Sequence, residues 1–206
     1  MIDELTAQLL QNYNVKQDHL RWDREELNPS TTEVQFFKDH SKFGISGSEK
    51  HDCDTNMTVD GQLNADERLV IHVVRLFFME FMSPNPGTLA NMLYQVAQNG
   101  VLVLKIGTNE IFRRPSFRCS PGGGLDLFAA FDNPTVANAL GTVQLGPSDP
   151  RAIDPLKIPL VWDGGKTLSA KLIFSTAMSA IPSASTVKMQ CEFTGILGSE
   201  KITPAT

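Results

Sequence analysis

The sequence has little of several residue types whose absence excludes whole classes of protein. Among its 206 residues are only two Trp, two Tyr and three Cys, and the net charge is -5 with a pI near 5.3. A surface that neutralises phosphates is normally basic, so we expect no direct contact with nucleic acid. The cysteines, Cys53, Cys119 and Cys191, are odd in number and far apart. This favours free thiols in a reducing compartment over a disulfide framework.

Targeting and membrane-spanning segments are also missing from the pattern. The start, Met1-Ile2-Asp3-Glu4, is acidic and is not followed by the basic and apolar regions of a signal peptide. No stretch is long and apolar enough to span a bilayer. We therefore expect a soluble protein that folds in a cytoplasm, with a length typical of one β-sandwich or barrel domain.

The longest apolar segment runs from Arg68 to Met82 and is rich in β-branched and aromatic residues. These types fit a pleated surface, so the segment predicts a long central strand. A helix is the alternative, because Arg68, His72 and Arg75 would then fall on one stripe. Read as a strand, one face carries Arg75 with six apolar residues: Leu69, Ile71, Val73, Phe77, Met79 and Phe81.

Further strands are predicted by short apolar runs between turn residues. Glu33 to Phe37 is a first strand, and residues 101–106 and 111–114 flank Gly107-Thr108-Asn109-Glu110 as a hairpin. Residues 88–98 have the spacing of a short crossover helix that ends near Gly100.

The last third of the sequence alternates most regularly. Ile158, Leu160 and Trp162 precede the turn Asp163-Gly164-Gly165, which predicts a hairpin with one buried face. The buried residues of its second strand and of a final strand should pack together, and they are Leu168, Ala170, Leu172, Phe174, Val187, Met189, Cys191 and Phe193. About eight or nine strands with only short helices indicate an all-β fold, and their wide connections favour a single jelly-roll sandwich or barrel.

Residues 1–30 are predicted to form an N-terminal arm, helical or extended, before a jelly-roll domain at 31–206. Apolar anchors such as Leu9 and Trp22 alternate with many charges, so one side can dock while the other stays solvated. The arm could pack on its own domain or reach a neighbouring copy, and Asn28-Pro29 would be the hinge. Deleting residues 1–27 should then leave a folded β domain.

Catalytic and metal-binding motifs are incomplete. The loop from Asn56 to Glu67 has oxygen ligands near calcium-loop spacing but begins with Asn and lacks an entering helix. Gly165-Lys166-Thr167 lacks the first glycine of a phosphate loop. His51-Asp52-Cys53-Asp54 offers adjacent ligands without a second Cys/His pair. We predict no catalytic, cofactor-binding or metal residues and no tightly bound ion, so the protein is not expected to be an enzyme.

The order of strands and turns resembles one family. Phe36-Phe37, then residues 53–63, then Leu69 to Phe78, resemble the front half of single jelly-roll capsid proteins of tailless, often membrane-containing bacteriophages. Residues 101–107, the stretch from Pro115 to Gly124 and the closing strands are also similar, so the resemblance covers about residues 32–198. It is a pattern of strands and turns without a catalytic motif.

The resemblance implies an upright β-barrel that assembles with copies of itself into an icosahedral virion shell, made in the host cytoplasm. Other capsid or vertex proteins and an internal viral membrane are further implied partners. The alternative is a jelly-roll carbohydrate-binding module, in which exposed aromatic rings would stack on sugars. The small number of Trp and Tyr residues weakens that alternative.

Overall fold

The computed structural model describes residues 4–27, 31–44, 46–82, 95–119, 125–128, 142–145, 154–177 and 186–200. Its elements confirm the all-β prediction, with little helix besides α1 (Glu4–Leu9), the helical residues 95–99 and a 3-10 turn (Ser116–Cys119). No helix within these ranges is long and apolar enough to cross a bilayer. The strands are β1 (Tyr13–Leu27), β2 (Glu33–Phe36), β3 (Glu67–Met82), β4 (Gly100–Ile106), β5 (Asn109–Pro115), β6 (Leu125–Phe128), β7 (Thr142–Leu145), β8 (Leu160–Asp163), β9 (Leu168–Phe174) and β10 (Thr186–Glu200).

Eight of the strands form two four-stranded antiparallel sheets. The first sheet has the order β1-β10-β3-β8 and the second β2-β9-β4-β5, while β6 and β7 pair as a separate ribbon. The pairings are nested, because β1 pairs with β10, β2 with β9, β3 with β8 and β4 with β5. The first three strands of the chain therefore pair with its last three.

The core lies between the two sheets and contains the residues that the alternation predicted. Leu168, Ala170, Leu172 and Phe174 are buried on β9, as are Met189, Cys191 and Phe193 on β10. The side chain of Val187 lies outside the described residues. The ring of Phe193 stacks on Phe37 with 4.9 Å between centroids and meets Trp162 edge-on at 6.4 Å. Aromatic pairs of this geometry stabilise a core beyond the area they bury.

The segment from Arg68 onwards is a strand, so the helical alternative is wrong, but its faces are not those predicted. Leu69 and Ile71 face the core, whereas beyond His72 the core residues are Val74 and Leu76 instead of Val73 and Phe77. Thr194 of β10 pairs with Val73 and Gly195 pairs with Ile71, which leaves His72 as an extra residue. Such a bulge shifts the side chains that follow it, from Val73 to Phe77, to the opposite face.

The N-terminal segment differs from the predicted arm. Its first residues do form a helix, α1, but β1 pairs antiparallel with β10 from Tyr13↔Glu200 to Leu27↔Val187, with one irregularity between Val15 and Asp18. Residues 13–27 are therefore a strand of the first sheet. The boundary at residue 30 separates β1 from β2 within one sandwich, and both strands contribute to the same core through Leu27 and Val34.

Both predicted hairpins are present, with glycines at positive φ in their turns. Gly107 joins β4 to β5 at φ 59°, and Gly165 joins β8 to β9 at φ 74°, a backbone region that favours glycine. The prediction for Ile158 is wrong, because β8 begins at Leu160 and the Ile158 side chain is 74% exposed. Of the predicted helix at 88–98, residues 88–94 lie outside the described ranges, and residues 95–98 are helical.

Candidate functional site

A buried ion network lies at the β1 edge of the sandwich. The alternation of β1 turns Asp23 and Glu25 inward, where both residues are buried. The ammonium of Lys50, with a side chain 0% exposed, donates to Asp23 Oδ1 at 2.9 Å, to Glu25 Oε1 at 2.7 Å and to the carbonyl of Asp39 at 2.9 Å. A buried charge is tolerated only when it is paired and hydrogen-bonded, which is the case here.

The two carboxylates also hold the backbone of the neighbouring loops. Asp23 Oδ2 accepts the N–H of Phe37 at 2.6 Å, and Glu25 Oε2 accepts the N–H of Gly44 at 3.1 Å. Phe37 has a φ of 61°, a strained conformation for a non-glycine residue that persists only when its surroundings enforce it. The network therefore ties the loops around residues 37–50 to β1.

One cation facing two carboxylates leaves an excess negative charge in a buried environment. Burial raises the pKa of Glu25 to about 7, against the opposing effect of Lys50, and burial likewise raises the pKa of Asp23. A protonated ammonium has three N–H donors, and those of Lys50 have three acceptors. All three hydrogen-bonding directions of the Lys50 Nζ are therefore occupied by Asp23, Glu25 and Asp39, and this geometry suits a structural role.

A second cluster is the nearest approach to a cation site in the part of the chain described. Ligand atoms of Asp39, His40 and Asp60 lie within 4.8 Å of one another at the surface. His40 Nδ1 lies 2.6 Å from Asp60 Oδ1, and Asp39 Oδ1 accepts hydrogen bonds from both Ser41 and Lys42. The hydrogen bonds from Ser41 lower the pKa of Asp39. Asp39 Oδ1 and Asp60 Oδ1 therefore already have hydrogen-bond partners in the neighbouring residues 40–42.

The calcium-like loop from Asn56 to Glu67 does not bring its candidate ligands together. The amide of Asn56 bonds the backbone of β1 at Trp22 and Leu20, Asp60 turns to His40, and Glu67 Oε2 lies 3.6 Å from Arg21 Nη2. With the β-bridge between Asp23 and Thr55, residues 54–56 cover the outer edge of β1. The segment protects a sheet edge, as many natural proteins do.

The other two sequence motifs, residues 51–54 and 165–167, also make contacts that stabilise the fold. Asp54 is buried and pairs with Arg24 at 3.5 Å, while His51 donates its backbone N–H to Asp54 Oδ2 at 3.2 Å. In the Gly165-Lys166-Thr167 turn, Lys166 pairs with Asp163 at 2.9 Å. These contacts stabilise turns.

The opposite edge of the sandwich carries a cleft of about 780 Å³ that we call the open-edge cleft. It lies between β5 and the segment leading into β8, and its lining residues are Ile111, Phe112, Arg114, Pro115, Arg118, Asp154, Leu156, Lys157, Ile158 and Leu160. Asp154 pairs with Arg114 at 3.1 Å and approaches Arg118 at 3.7 Å. The guanidinium of Arg114 lies over the ring of Phe112, 5.4 Å from its centroid.

The bulge of β3 holds the segment that forms one wall of this cleft. The carbonyl of His72 accepts the N–H of Leu156 at 2.8 Å, and His72 Nε2 lies 3.2 Å from Thr6 Oγ1 of α1. A second cleft, of about 630 Å³, lies on the other side of Leu156 and Lys157, against α1. The segment 154–159 is therefore a ridge between two clefts.

Sequence reasoning missed both Lys50 and the open-edge cleft. Lys50 stands in a polar loop, and nothing in its neighbours indicates burial. The residues of the cleft are separated by about 40 positions, and only the sheet order brings them together. Their one local signal was the apolar Ile158 between Lys157 and Pro159. Comparison with models of protein families, with curated proteins and with solved structures finds no match.

Proposed function

We propose that this protein is a structural subunit that assembles with copies of itself into a shell, as the viral capsid subunits that its strand pattern resembles do. The observation that carries the proposal is the nested pairing of eight strands into the sheets β1-β10-β3-β8 and β2-β9-β4-β5. A long antiparallel hairpin folded over twice would produce this order. It is the arrangement expected of a single jelly roll, a fold that viral capsid domains use.

The chemistry of the described residues supports a structural role. The most buried charged groups, Lys50 with Asp23 and Glu25, satisfy one another and the backbone, and they leave no group free to act on a substrate. Fold alone does not determine function, so this second argument matters.

The carbohydrate-binding alternative needs exposed aromatic rings. Trp162 is fully buried and donates its Nε1–H to the carbonyl of Lys166 at 2.9 Å. Tyr13 is half-buried beneath the guanidinium of Arg68, 4.7 Å from the ring centroid. Neither of these two rings is presented for stacking on a sugar, and Phe117, 57% exposed, is the aromatic residue among the exposed large apolar side chains of the described residues. A single exposed phenylalanine is a weak basis for sugar binding, which favours the assembly proposal.

The proposed partners are further copies of the chain, together with other capsid or vertex proteins and an internal viral membrane. The proposed location is the virion, with assembly in the host cytoplasm. The net charge of -5 gives no reason to add nucleic acid to these partners.

Sedimentation velocity and negative-stain microscopy of the purified full chain test the proposal. Across a series of protein and salt concentrations, we expect discrete multimers, and lattices or shells at high concentration. A chain that stays monomeric under every condition would contradict assembly. Binding of that monomer to a glycan array would instead support the carbohydrate-binding alternative.

A further inference from the structure

We infer that the open-edge cleft is the surface at which a second copy of this chain docks. The inference rests on the proposed function and names the contact through which the copies would associate. Three independent features of the cleft support it: the state of the two sheet edges, the exposed apolar side chains beside it and its charge.

The two ends of the sandwich differ in whether another segment of the chain covers the outermost strands. At one end β1 is covered by residues 54–56, whose backbone bonds include Arg24 N to Asp54 O at 2.8 Å. At the other end β5 and β8 are the terminal strands of their sheets. Within the described ranges, β5 pairs only with β4 and β8 only with β3. Among the described residues each of these strands therefore has one unpaired edge, and an unpaired edge is a template for pairing with another chain.

The most exposed large apolar side chains in the described part of the chain belong to this end. Ile158 is 74% exposed on the ridge of the cleft, and Phe117 is 57% exposed between Pro115 and Arg118, which both line the cleft. Apolar groups rimmed by polar residues are typical of protein interaction sites. Arg114 is held between Asp154 and the ring of Phe112, so little of its side-chain entropy remains to be lost on binding.

The charge of the cleft favours a second copy of this acidic chain as the occupant. Its lining includes three cationic side chains, Arg114, Arg118 and Lys157, but one anionic side chain, Asp154. The whole chain has a net charge of -5, so the charges outside the cleft, several of them on buried carboxylates, sum to a negative value. A cleft with this bias complements another face of the same molecule.

The same bias determines the symmetry of the contact. Two copies that met cleft to cleft would bring arginines against arginines, and like charges oppose association. The contact is therefore heterologous, with the cleft of one copy on an acidic face of the next. Head-to-tail contacts of this kind continue into rings or extended lattices, which a shell requires, while an isologous contact ends at a dimer.

Two substitutions in the cleft test the inference, Ile158→Asp and Arg118→Glu. Both side chains are mostly exposed, so neither change should impair folding. The matched control is Arg113→Glu, which makes the same charge change on β5, at a side chain 56% exposed that pairs with Glu110 and does not line the cleft. Circular dichroism and thermal unfolding establish that all three variants are folded.

Sedimentation velocity over a concentration series is the readout. We expect each cleft variant to need at least about tenfold more protein than the wild type to reach the same degree of association, and the control to match the wild type. Wild-type association should weaken with added salt, and Arg118→Glu should reduce this dependence. Assembly of both cleft variants at wild-type concentrations would overturn the inference while leaving the proposed function intact. A wild-type chain that never associates would overturn the proposed function itself.

Discussion

At the scale of single residues, Lys50 is the side chain whose burial depends most on its ionic partners in the described structure. Its ammonium is fully buried, and the carboxylates that balance it come from a different part of the chain, β1. Removing one partner from such a network leaves the others charged in a medium that cannot solvate them. We therefore expect position 50 to tolerate substitution far less well than its place in a polar loop of the sequence suggests.

We expect Lys50→Met to lower the free energy of unfolding by about 3 to 5 kcal/mol, because it leaves two buried carboxylates without a cation. The control is Lys171→Met, which breaks a partly exposed pair with Glu33 at 3.1 Å and should cost about 1 kcal/mol or less. Urea denaturation measures both. Equal effects of the two substitutions would mean that the buried network contributes nothing particular.

Glu25 should make stability depend on pH near neutrality. Burial raises its pKa from 4.5 to about 7 in the folded state, so between these values the folded chain binds a proton more strongly than the unfolded chain. The free energy of unfolding should therefore fall as the pH rises through this window and level off above it.

Denaturation at pH values from about 5 to 8 checks this expectation, with Glu25→Gln as the variant that removes the titrating group. That variant should lose most of the slope, whereas Glu33→Gln, at a side chain 50% exposed, should keep it. A wild-type slope that persists in Glu25→Gln would assign the titration to another group.

At the scale of elements, the sequence predicts strands well where polar and apolar residues alternate without interruption. β9 and β10 follow this rule, and the burial of Cys191 and Phe193 was predictable from the period of two alone. β3 was predictable as a strand, but its faces were not. The bulge at His72 arises because Thr194 and Gly195, more than 120 positions away, pair with Val73 and Ile71 on either side of it, and no local pattern encodes this register.

β1 was missed for a related reason. Its inward-facing side carries Asp23 and Glu25, so the alternation that reveals a half-buried strand is absent. Only the distant Lys50 makes burial of those carboxylates possible. The open-edge cleft was out of reach for the same reason, since the order of strands in the two sheets creates it.

We now expect a chain that lacks residues 1–27 to lose its cooperative fold, contrary to the behaviour of a detachable arm. The deletion would uncover one edge of β10 from Val187 to Glu200 and leave Lys50 without either carboxylate. Circular dichroism and urea denaturation of the truncated chain measure the effect. A truncated chain with an unchanged β signal and a sigmoidal transition would restore the arm interpretation.

At the scale of the whole molecule, the two sheets share one apolar core, which includes Cys119 and Cys191. Burial raises the pKa of the Cys119 thiol to about 12 and that of Cys191 well above its usual value, while Cys53 is exposed. Thiolates, rather than thiols, react with labelling reagents. The three cysteines therefore report on surface and core separately.

One thiol per chain, Cys53, should react rapidly with a maleimide in native buffer, and the other two only when the core opens. Mass spectrometry of labelled chains counts the adducts, and Cys53→Ser should remove the fast one. Because both buried thiols lie in the same core, we expect them to become reactive together as urea is raised. Separate labelling of Cys119 would mean that its end of the sandwich opens independently.

The nested pairing also determines how long each early strand must wait for its sheet partner during synthesis. About 160 residues separate the end of β1 from the start of β10, its sheet partner, so at 5–20 residues per second β1 waits roughly 8 to 30 s after synthesis before that partner exists. β2 waits for β9 in the same way, and β3 emerges with its apolar face uncovered. Neighbouring nascent chains on one messenger RNA are therefore prone to pair with one another through these unpaired strands. Chaperones that bind unfolded chains would have their greatest effect before residue 186 leaves the exit tunnel.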